Sequence, residues 1–216
     1  MADRDAEKRA AAEAAAELVC DGDKVGLGTG STVAPMLPAL AARKLNIRCV
    51  ATSIATEVAA RALGIEVEPF EQLDRLDIAI DGADQVDPEG WLVKGGGGAH
   101  TREKIVAAAA ERFVVIGDSS KPVDEIGAPI PLELFPFGIA STLTRISESL
   151  GSVRQRPETP ASPDGGVIAD FLGDVADPGE LAAVLSALPG VVDHGLFPPE
   201  MVSDVLIGRG DAVKPL

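Results

Sequence analysis

Basic residues are scarce in this chain. Seven lysines and twelve arginines stand against 34 aspartates and glutamates, giving a formal net charge of −15. Nucleic acid is held through positive surface, so this balance excludes it as an expected partner. Apolar runs are short as well. None approaches the roughly 20 residues that a membrane-spanning helix needs, and no membrane association is expected. The opening stretch MADRDAEKRAAAEAAAEL is acidic and helix-forming. A secretory leader reads differently, with a basic segment before an apolar one, so a cytoplasmic location is expected. Cysteine is rare too: Cys20 and Cys49 lack the spacing of a metal or redox motif, and both read as buried thiols. No cluster of His, Cys and carboxylates has metal-ligand spacing. The expectation is no metal and no cofactor.

What is present is ample apolar material, 46% of 216 residues, enough for one large domain or one domain carrying a smaller one. The acid is spread along the chain rather than gathered in a tail, a composition suited to a salt-rich cytosol where screening reduces self-repulsion.

Helix and strand patterns alternate up to about residue 128. An Ala- and Glu-rich helix over 3–20 has high propensity. Short apolar strands follow at 24–28, 47–52, 65–69, 76–81 and 112–117, separated by helical stretches at 32–44, 54–63 and 101–111. Fully apolar strands alternating with helices predict a parallel sheet covered on both faces. The fold class is therefore α/β, a Rossmann-like mostly parallel sheet flanked by helices. Prolines change the rhythm at GAPIPLELFPFG (127–138), after which a helix (139–150), two strands, a helix and a strand predict a smaller α+β, ferredoxin-like domain. The expected division is 1–128 for the larger domain and 129–202 for the smaller, with 203–216 returning to the first sheet as an edge.

Three glycine-bearing loops carry the chemistry: GLGTGST (26–32), DGADQVD (81–87) and KGGGGAHTREK (94–104). In open α/β sheets ligands bind beyond the carboxyl ends of the strands. A glycine loop ahead of a helix offers backbone N–H groups to an anion. The first loop is not a dinucleotide fingerprint, because Ser31 stands where the third glycine belongs and no acid ends the second strand. Nor is there a Gly-Lys-Ser/Thr P-loop. A small phosphate site with hydroxyls from Thr29, Ser31 and Thr32 remains, and simple tight turns are the alternative. Asp81 ends an apolar strand and is followed by Gly82, Ala83 and Asp84; a buried acid has reason to be hydrogen-bonded. Glu103 falls in the first turn of the helix after the glycines. Complementing the helix dipole explains most acids there, but a partly desolvated carboxylate beside a ligand loop can also act as a general base.

Taken in order, GLGTGST, TSIATEVA, DGADQVD, LVKGGGGAHTREKIVA, VVIGDSSKPV, PLELFPFG and GVVDHGLF resemble the A-type ribose-5-phosphate isomerases over nearly the whole chain. The resemblance implies a metal-free aldose–ketose isomerase of the non-oxidative pentose phosphate pathway, interconverting D-ribose 5-phosphate and D-ribulose 5-phosphate through an enediolate. It further implies that Thr29, Gly30, Ser31, Thr32 and Lys121 hold substrate, as do Gly82, Ala83, Gly95, Gly96 and Gly97. Asp81, Asp84 and Lys94 are implied at the sugar's reacting end and Glu103 as the base. A homodimer or homotetramer is implied in the same way. His100 stands where the family has an apolar residue and is given no role; Gln85 and Ser119 also depart, and SPDGGVIAD (162–170) replaces the family's DNGN turn. His194 is expected on the surface of the small domain. Two other readings stay open at this level: a non-catalytic sugar-phosphate sensor, and acyl-CoA transfer on a similar sheet.

Overall fold

Asp3 starts the first helix, α1 (Arg4–Ala16), by accepting the Ala6 N–H on its carboxylate at 3.2 Å, in a computed structural model that describes residues 3–157, 159–210 and 212–216. An acid at this position satisfies one of the helix's orphan donors. The alanines serve packing as well as propensity. Ala11, Ala12, Ala15 and Ala16 are all fully buried.

Strand β1 (Lys24–Leu27), helix α2 (Met36–Ala42), strand β2 (Arg48–Ala51) and helix α3 (Ile54–Ala62) follow. Next come β3 (Leu76–Gly82), the two-residue strands β4 (Gln85–Val86) and β5 (Leu92–Val93), helix α4 (His100–Ala109) and β6 (Ala110–Asp118). The chain continues through β7 (Ile130–Leu134), α5 (Ile139–Ser149), β8 (Val153–Gln155), β9 (Val167–Phe171) and α6 (Pro178–Ala187). It ends with β10 (Val191–His194), β11 (Leu196–Phe197), β12 (Asp204–Arg209) and β13 (Ala212–Pro215).

Two compact units result. The first takes residues up to Ala83, Arg102–Pro122 and Glu200 onward; the second takes Asp84–Thr101 and Val123–Pro199. This grouping differs from the expected division at residue 128, and local bonding gives the reason. Strand β5 pairs with β11, the Val123 N–H donates to the Val86 carbonyl at 2.9 Å, and the Gln85 amide bonds the Gly127 backbone in both directions.

In the first unit six strands lie in the order β13-β12-β6-β3-β1-β2, parallel except for β13. The C-terminal segment adds a hairpin, so β12 is interior and β13 is the edge. The expected strand at 65–69 shrinks to one parallel bridge between Cys49 and Val67; Pro69 has no N–H with which to extend it. From β1 the chain steps outward to β2 and then crosses to β3 on the other side of β1. Strand order therefore reverses between β1 and β3, the switch point at which open sheets form ligand crevices. Helix α1 lies so close to β12 that a Cβ on Gly208 would sit 2.0 Å from the Glu7 carbonyl oxygen.

The second unit folds β7-α5-β8-β9-α6-β10 into an antiparallel sheet of order β10-β7-β9-β8, the expected ferredoxin-like arrangement. Leu132, Leu134, Ile146, Phe171 and Leu185 form its core. Two expectations fail on burial. His194 is not on the surface: it is 5% exposed, with Nε2 3.0 Å from the Ser186 hydroxyl and Nδ1 accepting the Leu196 N–H. Cys20 is exposed, because it lies in the turn after α1, whereas Cys49 is buried in β2 and burial pushes its thiol up to about 12.

Candidate active site

The first unit builds one half of the candidate set at the carboxyl ends of β1 and β3. Asp81 is only 3% exposed, and its Oδ1 accepts the backbone N–H groups of Thr29 (3.0 Å) and Gly82 (2.7 Å). One acid thus joins two loops 52 residues apart in sequence, across the switch point. The approach is so close that a Cβ on Gly28 would lie 2.2 Å from the Asp81 carboxyl carbon. Only glycine fits there. The Thr29 hydroxyl is taken up inside the protein, lying 2.7 Å from Thr52, 2.8 Å from Ser53 and 3.2 Å from Thr56. Thr32 is buried beside Gly82. Gly30 has φ +106°, and its carbonyl accepts the N–H groups of Val33 and Ala34. The helix expected from residue 32 begins only at Met36, because residues 31–35 first form a turn. The loop after β1 therefore runs into a turn, with Ser31 exposed, rather than directly into a helix end.

Lys8, on α1, donates to the Ser31 hydroxyl at 3.0 Å. A lysine in an alanine-rich helix reads as a solvated charge, so no local signal in the sequence marks it. Lys121 follows β6, and its N–H donates to the Asp118 carbonyl at 3.1 Å. Burial pushes the Asp118 carboxyl up, but the hydroxyl and N–H of Ser120 and the cations of Lys121 and Lys8 outweigh it and hold the group below its ordinary value. Two ammonium groups thus sit within electrostatic reach of one buried acid. Neighbouring Glu7 fastens this corner: its carboxylate accepts the Ser119 hydroxyl (2.6 Å), the Ser119 N–H (3.0 Å) and the Gly210 N–H (3.1 Å). Those bonds, the Ser119 hydroxyl first, hold it below the usual carboxylate range. Glu103 stands in the first turn of α4 and is 6% exposed. Its helix lies hard on β1, since a Cβ on Gly26 would come 2.5 Å from Val106.

In the second unit Asp84 is exposed and accepts the Gly96 N–H at 2.8 Å. Lys94 is 2% exposed; its ammonium lies 5.5 Å from the centre of the Phe197 ring, and its N–H donates to the Gly195 carbonyl at 2.8 Å. A cation over an aromatic face is stabilised by the ring quadrupole. His100 is fully buried beneath the loop, where a Cβ on Gly95 would meet its ring at 2.6 Å. Packing thus occupies this histidine. Gly96 and Gly97 are exposed.

Residues 48–212 match the ribose 5-phosphate isomerase A (phosphoriboisomerase A) family. The ribose-5-phosphate isomerase A of Sphingopyxis alaskensis is 43% identical over 218 residues, covering 97% of this chain and 95% of its own. Among solved structures, ribose 5 phosphate isomerase A from Neisseria gonorrhoeae superposes with a TM-score of 0.95 at 32% identity, over 100% of this chain and 98% of that one. A D-ribose-5-phosphate isomerase in complex with phospho-erythronic acid has a TM-score of 0.91 at 32% identity, over 97% and 96%. On sequence and on fold, each across nearly its full length, this chain belongs to the ribose 5-phosphate isomerase A family.

Proposed function

We propose that this protein interconverts D-ribose 5-phosphate and D-ribulose 5-phosphate through an enediolate. The observation that carries the proposal is the burial of Asp81, Lys94 and Glu103 in a chain of this family. Buried ionisable groups cluster at functional sites, where burial and neighbouring groups tune them for chemistry.

The roles follow from the chemistry. The phosphate is bound by Ser31, Thr32 and Lys121, with Lys8 adding a second positive charge; Thr29 and Gly30 shape the loop. Asp81 and Asp84 move hydroxyl protons during ring opening, with Gly82 and Ala83 bringing backbone close to the sugar. Glu103 removes the proton from C2 of the open-chain aldose, and the electron pair passes to the C1 carbonyl oxygen. Glu103 returns that proton to C1 while the O2 proton is passed to O1, leaving the ketone at C2. Lys94 and the amides of Gly95 and Gly97 offset the oxyanion between the two steps, while the Gly96 N–H, held by Asp84, fixes the loop beside them. One such donor contributes about 10²–10³ in rate, and the base about 10²–10⁴. The chain's acid and base residues favour this over a sensor. Cytosolic location, a homodimer or homotetramer and a need for salt belong to the same proposal; family resemblance supports the oligomer and the −15 charge the need for salt, and full activity of folded protein at low ionic strength would remove the last.

Incubation with ribose 5-phosphate in D₂O tests the reaction. Ribulose 5-phosphate should form and solvent deuterium should enter the sugar at carbon, with EDTA without effect. Binding with neither product nor deuterium would leave a sensor instead.

A further inference from the structure

The glycine loop is gripped by an arginine from the small sheet. Arg156 follows β8 and presents its guanidinium to Asp170 on β9 as a fork, Nε to Oδ2 at 2.8 Å and Nη2 to Oδ1 at 2.7 Å. Both side chains are largely buried, 16% and 18% exposed. The remaining nitrogen, Nη1, donates to the carbonyl oxygens of Gly95 (3.1 Å) and Gly96 (2.9 Å). The backbone N–H of Arg156 is itself tied to the Ile168 carbonyl at 3.0 Å, so the guanidinium reaches the loop from an anchored base.

Peptide geometry gives this contact a consequence. The bonds from 95 to 97 are trans, so each carbonyl and the next residue's N–H point to opposite edges of one plane. In the 95–96 plane both edges are held: Arg156 takes the carbonyl, and the Asp84 carboxylate takes the Gly96 N–H. In the 96–97 plane Arg156 holds the carbonyl, which turns the Gly97 N–H away from the guanidinium. Glycine has no side chain to restrict these planes, and left alone they would sample many orientations. Donors that stabilise a developing oxyanion are effective only when they are already aimed. A lysine could not do the same work, because bridging a carboxylate and two carbonyls needs a planar fork with several fixed donors.

We propose that Arg156, clamped by Asp170, is a positioning residue that sets the peptide planes of Gly95–Gly97 for the reacting oxygens of the substrate, an inference that rests on the isomerase reading of the loop. The opposing possibility is a staple that only joins β8, β9 and the loop for stability.

Hydrogen exchange at the Gly95–Gly98 amides, measured on ligand-free protein, separates the two together with steady-state kinetics. Arg156→Lys should accelerate exchange at these amides about tenfold or more and lower kcat by a similar factor, with KM within about threefold. Millimolar guanidinium should restore part of the activity of Arg156→Ala. Arg145→Lys, at an exposed position of α5, should change neither readout. If Arg156→Lys fails to fold, Asp170→Asn carries the same test, with smaller changes of the same sign. Unchanged exchange or unchanged kcat in a folded variant overturns the proposal, as does a kcat loss that only tracks the loss of folded protein. Exchange is read without substrate, so faster exchange in a chain whose wild type does not isomerise would retain the brace and refute the isomerase reading alone.

Discussion

Gly97→Ala tests whether the glycine run serves the fold or the ligand. A Cβ built at Gly97 meets no protein atom within 4 Å, and the backbone there does not lie in the left-handed region. Within the protein alone, alanine should be harmless. It should even stabilise slightly, by about 0.4–1 kcal/mol, because it restricts the unfolded chain. For a chain of this size that is roughly 1–4 °C in Tm. If the open-chain sugar closes on this stretch of backbone, the added methyl occupies space the substrate needs. Overpacking by a single methyl in a fitted site costs about 1–3 kcal/mol, which lowers kcat/KM by roughly 5- to 150-fold. Thermal unfolding and a continuous assay for ribulose 5-phosphate measure the two effects on the same preparation. A stable variant with impaired turnover assigns the glycine to the ligand. Unchanged kcat/KM would show that substrate does not approach the backbone at residue 97, and the account of the loop would fail.

Glu103→Gln should lower kcat by about 10²–10⁴ while KM stays within a few-fold; retained turnover would place the base elsewhere. Lys121→Ala should raise KM about tenfold through the loss of a charge-assisted contact to phosphate, and an unchanged KM would remove it from the anion site. In Gly28→Ala the new Cβ would sit 2.2 Å from the Asp81 carboxylate. Asp81 must then give up its two backbone donors, costing about 2–4 kcal/mol in urea unfolding and most of the activity; wild-type kcat would detach Asp81 from the reaction. The carboxyl of Glu7 is held below its ordinary value by the bonds from Ser119 and Gly210. Its contribution to stability should therefore be complete above the unfolded glutamate value and fade as pH falls through the lower folded one. Comparing Glu7→Gln with wild type across that window checks the sign: a difference that grows on acidification would contradict it.

Periodicity and loop chemistry determined a good deal by themselves. Alternating apolar strands and helices implied a covered parallel sheet, and the order of elements after residue 128 implied a second, antiparallel one, because side-chain period and turn residues are local properties. The same locality is why DGAD, KGGGG and TREK could be recognised as candidate chemical motifs. Only the tertiary structure decided which partners those loops have. Asp81 holds Thr29 across 52 residues, Lys8 reaches Ser31 across 23, and Arg156 reaches Gly96 across 60. None of these pairs shares a helix face or a strand period. Burial was decided in the same way: His194 lies inside and Cys20 outside, since exposure depends on what other segments cover a residue and not on its own neighbours along the chain.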